Sequence, residues 1–284
     1  MLTVLPERRA VAQAFAAESD RAAALVRGCR DLSAPVPGLS WDLGQLAAHL
    51  TAVYMVFGMT LRGGYQDSEL ESAVRAVDGE LPLPATIAAA NAYAVGLLRV
   101  DDPGVAADGL AEQAAALRAA IEAAEDLAEK VPTPWYGVGM TRTAGTIAAL
   151  AVTESLVHGR DLAGAVGAGT GMSRSSAAAA APTVLSAMLP LLLDARRARG
   201  VSASYELRLR GGKPFGLRVA DGRAECFEVG AKDVDCVITL DPCAALLIGF
   251  GRRSLARVTL TGGALAAGRK PWLGLRFPGL FGTP

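Results

Sequence analysis

The sequence predicts a mainly α protein with an α+β C-terminal third. Helical apolar periodicity dominates the first 170 residues, and short alternating strands separated by Gly-containing turns begin after Gly200. An Ala-rich helical stretch at 173–199 joins the two textures. At 284 residues the chain is long enough for two units, each with its own core. The expected division is a helix bundle over 1–170 and a linking helix with a small α+β unit over 171–284.

Val11, Phe15, Ala22, Leu25 and Val26 recur at the helical period, which places a helix over 7–30. Pro35, Pro37 and Gly38 break the chain. Ser40 is read as the N-cap of a helix from Trp41 to about Arg62, ended by Gly63-Gly64. Two further helices are expected at 85–99 and 109–130, split near Asp101-Asp102-Pro103-Gly104, and Pro132–Gly139 reads as a loop. A helix from Thr143 to Val166 stops at Gly167. Beyond Gly200, strands are expected at 204–210, 215–219, 223–229 and 235–240, as antiparallel neighbours. Pro242–Phe250, Ser254–Val258 and Ala264–Arg269 read as short helices.

Lys+Arg and Asp+Glu are both 28, so the formal charge is zero and a basic nucleic-acid face is not expected. Cys29, Cys226, Cys236 and Cys243 form no CxxC pair, which predicts reduced thiols and a cytoplasmic address. The first residues show no apolar run of signal-peptide length. The run Ser176–Leu193 carries Pro182 and Pro190 between arginines and reads as a buried helix rather than a membrane span. Gly211-Gly212-Lys213 lacks phosphate-loop spacing and sits between strands. Cys29 is expected to be buried and inert, and Trp41 to lie in the core.

The chain contains two histidines, His49 and His158. Glu154 and His158 are four apart, so on a helix they stack on one face. Single histidines in helices are usually structural, and a Glu/His pair at this spacing recurs by chance. If the helix of His49 packs beside that of His158, however, two imidazoles and a carboxylate meet. Such a set leaves coordination positions open, as catalytic zinc sites do. Asp161 follows His158 by three residues and shares its face, where it would orient a ligand, contact a cofactor or substrate, or serve only as a helix charge. Trp135 and Tyr136 are read either as the mouth of the site or as packing at a bundle end.

Trp41…His49-Leu50, Pro134-Trp-Tyr-Gly137…Met140 and Glu154-Ser-Leu-Val-His158-Gly-Arg-Asp161 together resemble the mycothiol-dependent maleylpyruvate isomerase family. Leu260-Thr-Gly-Gly263 and Gly268-Arg-Lys-Pro-Trp272 fit its second unit in texture. The resemblance implies a DinB-like four-helix bundle followed by a sterol-carrier-like domain. It implies metal ligation by His49, Glu154 and His158, with zinc and mycothiol as cofactors and a small electrophile as substrate. In the family reaction the thiol adds to a conjugated cis double bond, which rotates and re-forms as trans when the thiol leaves. The same thiolate would give an S-transferase on another electrophile. A metal-dependent hydrolase, a carrier of small hydrophobic ligands and a silent bundle are the rivals. Two positions depart from the family pattern: Gln45 replaces an acidic residue and Arg160 an aromatic one. The family also uses an arginine from its second unit, and Arg252, Arg253 and Arg276 are the candidates.

Overall fold

The computed structural model describes residues 2–64, 83–137, 139–230 and 234–282. Helices α1 (Arg8–Arg27), α2 (Leu43–Leu61), α3 (Leu83–Leu98), α4 (Pro103–Ala123) and α5 (Ala144–Ala165) build the N-terminal bundle. The expected helices at 7–30 and 143–166 therefore stand, with Thr143 as the side-chain cap of α5 and Gly167 turning out at φ 71°.

Two helix starts differ from expectation, and both are set by an aspartate. The cap of α2 is Asp42 rather than Ser40: its carboxylate accepts from Gln45 N at 2.7 Å, and Gln45 Oε1 accepts from Asp42 N at 3.0 Å. This reciprocal box satisfies two N-terminal donors at once. Asp102 caps α4 with Pro103 at its first position, so that helix starts at 103 instead of 109. It ends at Ala123, where the next residue turns extended, rather than at 130. The stretch read as a loop at 132–139 contains a 3-10 turn, Pro134–Tyr136. It is clasped by a two-stranded hairpin of β1 (Lys130–Pro132) and β2 (Thr141–Thr143).

Helix α6 (Arg174–Leu192) is shorter than the 173–199 expected and packs against α1 and α5 on one side and the C-terminal sheet on the other. By length and composition α2 and α6 would cross a bilayer, but 72% and 61% of their apolar windows are buried inside the protein. They behave as core helices.

The C-terminal sheet runs β5-β4-β3-β6-β7, from β3 (Ala203–Leu209), β4 (Phe215–Ala220), β5 (Arg223–Phe227), β6 (Cys236–Leu240) and β7 (Ala264–Ala267). Alternation correctly places Tyr205, Leu207 and Leu209 on its buried face. Two expectations fail here. β3 pairs β6 in parallel, since the β4–β5 hairpin intervenes before the chain returns to the sheet. The alanine-rich 264–269 segment is not a helix but edge strand β7, antiparallel to β6. Alanine favours helix by propensity, but pairing with β6 overrides it, and Gly262 and Gly268 at positive φ turn the chain at its two ends. Helices α7 (Pro242–Gly249), α8 (Leu255–Leu260) and α9 (Leu273–Arg276) complete the unit.

Candidate metal centre

His49 lies in the middle of α2 and Glu154 and His158 one turn apart on α5. The two helices are held in register by a buried hydrogen bond of 2.7 Å between Tyr54 Oη and Ser155 Oγ. Tyr54 is itself wedged edge-on against Phe15 of α1, with ring centroids 5.0 Å apart. This packing brings the three predicted ligands together. Glu154 Oε2 is 3.4 Å from His49 Nε2 and 3.2 Å from His158 Nε2, and one donor atom from each residue lies within 4.8 Å of the others. Donors about 2.1 Å from a tetrahedral ion are about 3.4 Å apart, so the residues present fit a divalent cation.

The three side chains and their burial shift one another's titration. Burial pushes the His49 imidazole below the ordinary 6.5, more than the adjacent Glu154 raises it. Burial also opposes the charge on His158, but Asp161 and Glu154 outweigh it and hold that ring above 6.5. Burial would raise the Glu154 carboxyl, yet contacts from His158 and His49 keep it well below the usual carboxylate range. The two imidazoles are thus shifted in opposite directions on either side of the Glu154 carboxylate.

Asp161, expected to meet a cofactor, is buried one layer behind His158. Its Oδ2 is 3.4 Å from His158 Nδ1, an ionic contact without hydrogen-bond alignment. The same oxygen accepts from Arg252 Nε at 3.1 Å and Nη2 at 3.0 Å. Of the three candidate arginines, Arg252 is the one the fold brings to the site; Arg253 and Arg276 are exposed elsewhere. Arg160 Nη1 sits 3.6 Å from Asp161 Oδ1, and Gln45 is occupied in capping α2, so neither departure displaces a ligand.

The three donors face a cavity of about 380 Å³. Trp135 and Tyr136 do form part of its wall, Trp135 stacked on Phe57 at 5.5 Å. Trp41 is a correction: it is half-buried on the cavity rather than in the core, with its ring 5.0 Å from that of His49. Cys29 is likewise half-buried rather than buried. Sequence reading missed the α3 face (Ile87, Ala88, Asn91) and Phe250. An apolar helix face looks the same whether it covers a core or a cavity, so periodicity carried no signal for them.

A helix bundle gathers two imidazoles and a carboxylate beneath an apolar cavity, and an α+β unit contributes Phe250 and Arg252 to one wall. Residues 15–163 match the mycothiol maleylpyruvate isomerase N-terminal domain, and the chain belongs to that family. The fold is similar to two crystal structures of the mycothiol-dependent maleylpyruvate isomerase. One is a histidine-to-alanine mutant, at 10% identity and a TM-score of 0.52. The other matches at 13% identity and 0.50. Each match covers 92% of this chain and 93% of the other. No curated protein matches the chain.

Proposed function

We propose that this protein is a thiol-dependent isomerase or S-transferase of small electrophiles, using mycothiol and a divalent ion, zinc by donor type, in a cytoplasmic setting. The observation that carries the reading is the convergence of His49, Glu154 and His158 on the floor of a cavity. Family membership supplies the thiol as the candidate co-substrate. Two nitrogens and one oxygen suit zinc and leave positions open. An ion held there would keep a bound thiol deprotonated and therefore nucleophilic at neutral pH.

The chain's own residues supply the rest. Glu154, held ionised between the imidazoles, offers a permanent negative donor. Asp161 at His158 Nδ1 favours the form of the ring that keeps its proton there and frees Nε2 toward the cavity. Arg252 clamps Asp161, so the C-terminal unit reaches the site through a carboxylate. Trp41, Phe57 and Trp135 give the space above the donors an apolar wall.

The carrier reading has less support. The apolar cavity of the C-terminal unit, lined by Leu207, Ile238, Phe277 and their neighbours, measures about 80 Å³. Ligand sites usually offer about 300 Å³ or more.

Turnover of maleylpyruvate and a panel of electrophiles, with and without mycothiol and zinc, tests the proposal. The expected result is turnover that needs both and is lost in His49→Ala with the bundle still folded. Turnover that ignores added thiol would transfer the reading to a metal-dependent hydrolase.

A further inference from the structure

The cavity above the three donors is poor in positive charge. Among the described residues a single cation, Arg252, reaches its wall. That guanidinium is already engaged at all three nitrogens: Nε and Nη2 bond Asp161 Oδ2, and Nη1 bonds Phe250 O at 2.8 Å. Asp161, which also faces His158 and Arg160, offsets part of the guanidinium charge, and two of its five N–H groups remain for anything else. A divalent ion ligated by Glu154 and carrying one thiolate would sum to zero charge, so it offers no surplus to an anion either. The wall is otherwise dominated by apolar side chains, among them Val53, Phe57, Ile87 and Phe250, with Ser40, Asn91 and Tyr136 as uncharged polar groups. Burial pushes the Tyr136 hydroxyl up to about 12, so it stays protonated and able to donate.

A carboxylate moved from water into such a space loses its hydration and gains a compensating cation only if one is free. One negative charge has two Arg252 N–H groups to meet. A compact dianion would place its second charge among apolar side chains, beside the ionised Glu154. A single carbonyl has neutral donors in Asn91 and Tyr136, and an aryl or alkyl body has the aromatic walls.

Resting on the thiol-addition reading, we propose that the substrate is an α,β-unsaturated carbonyl compound with an aryl or alkyl body and at most one negative charge, and that compact dicarboxylates are disfavoured. The thiol sulfur forms a bond to the β-carbon, the C=C π pair moves to the α-carbon, and the thiol proton ends there. Retention of the sulfur gives the S-conjugate. Bond rotation followed by loss of the same thiol and proton returns the geometric isomer.

Binding of unreactive, saturated analogues separates the substrate class from the chemistry. Quenching of Trp41 and Trp135 fluorescence would be titrated with 4-phenylbutan-2-one (neutral), 3-phenylpropanoate (one charge) and glutarate (two charges), on zinc-reconstituted protein saturated with mycothiol, the state in which the ion, Glu154 and the thiolate sum to zero charge. The first two are expected to bind at least about tenfold tighter than glutarate, a difference of one bonded charge. Glutarate binding as tightly as either would overturn the proposal. This ranking needs no turnover, so failure of the thiol chemistry leaves it standing. In the turnover assay with mycothiol, 4-phenylbut-3-en-2-one is expected to give a higher kcat/KM than maleylpyruvate. The reverse order would keep the thiol chemistry and overturn the substrate class.

Discussion

Two of the cavities among the described residues, one in the helix bundle and one in the C-terminal unit, differ in one respect. The cavity between α2, α3 and α5 ends on two imidazoles and a carboxylate, and measures about 380 Å³. The cavity of the C-terminal sheet unit, about 80 Å³, is lined by Leu185, Leu207, Ile238, Phe277 and similar side chains and holds no titratable group. Both have mostly apolar walls. The first is the candidate site because helix geometry projects His49, Glu154 and His158 into an apolar space close to one another. The second offers only apolar side chains and a volume of about 80 Å³, below that of usual ligand sites. This contrast sets the candidate site apart within one continuous hydrophobic core.

Substitutions at the two cavities should separate cleanly. Removing a metal donor has the largest expected effect: His158→Ala should lose stoichiometric zinc and all thiol-dependent turnover, with helix content unchanged, as read by elemental analysis and circular dichroism. Retention of one zinc per chain in that variant would mean the ion sits elsewhere. Leu207→Ala in the small cavity should do the opposite, costing about 2–5 kcal/mol in denaturant unfolding while zinc stoichiometry stays intact. A change in metal content there would break the contrast. Asp161→Asn keeps the shape but replaces the charge behind His158, so zinc affinity should fall about 10–100-fold, measured by competition with a chelating dye.

The smallest effect is in pH dependence, and its sign follows from the imidazoles. His158 is held above 6.5 in the metal-free fold, so its contribution to stability is complete below 6.5 and is lost as pH rises through its folded value. His49 is held below 6.5, so its contribution is complete above 6.5 and is lost as pH falls through its folded value. Glu154 adds stability above about 4.5 that disappears on acidification. Within this cluster the metal-free protein is therefore most stable near pH 6.5. Zinc must displace the His158 proton, so the increase in Tm caused by zinc should grow from pH 5.5 to 7.5. A constant increase would show that no proton leaves on binding.

The candidate donor cluster was legible because it rests on local arithmetic. Two histidines in the whole chain, and a Glu four residues before one of them, fix the face of α5 once the helix is granted. The buried strand faces were legible for the same reason, since Tyr205, Leu207 and Leu209 alternate. What escaped depends on partners distant in sequence. The parallel β3–β6 pairing and the strand identity of 264–267 are set by which backbone lies alongside, and an alanine-rich segment does not encode that. Arg252 and Phe250 reach the cavity across the packing of α7 on the bundle, so sequence could offer Arg252 only as one of three arginines. Trp41 escaped because an aromatic side chain on a helix-start segment packs equally well against a core or over a site.

X-ray absorption at the zinc edge, on reconstituted protein before and after addition of mycothiol, tests the central claim most directly. The account predicts a shell of two imidazole nitrogens and one carboxylate oxygen at about 2.0–2.2 Å, gaining one sulfur at about 2.3 Å when the thiol is added. A shell without two imidazoles, or one that gains no sulfur from the thiol, would contradict it.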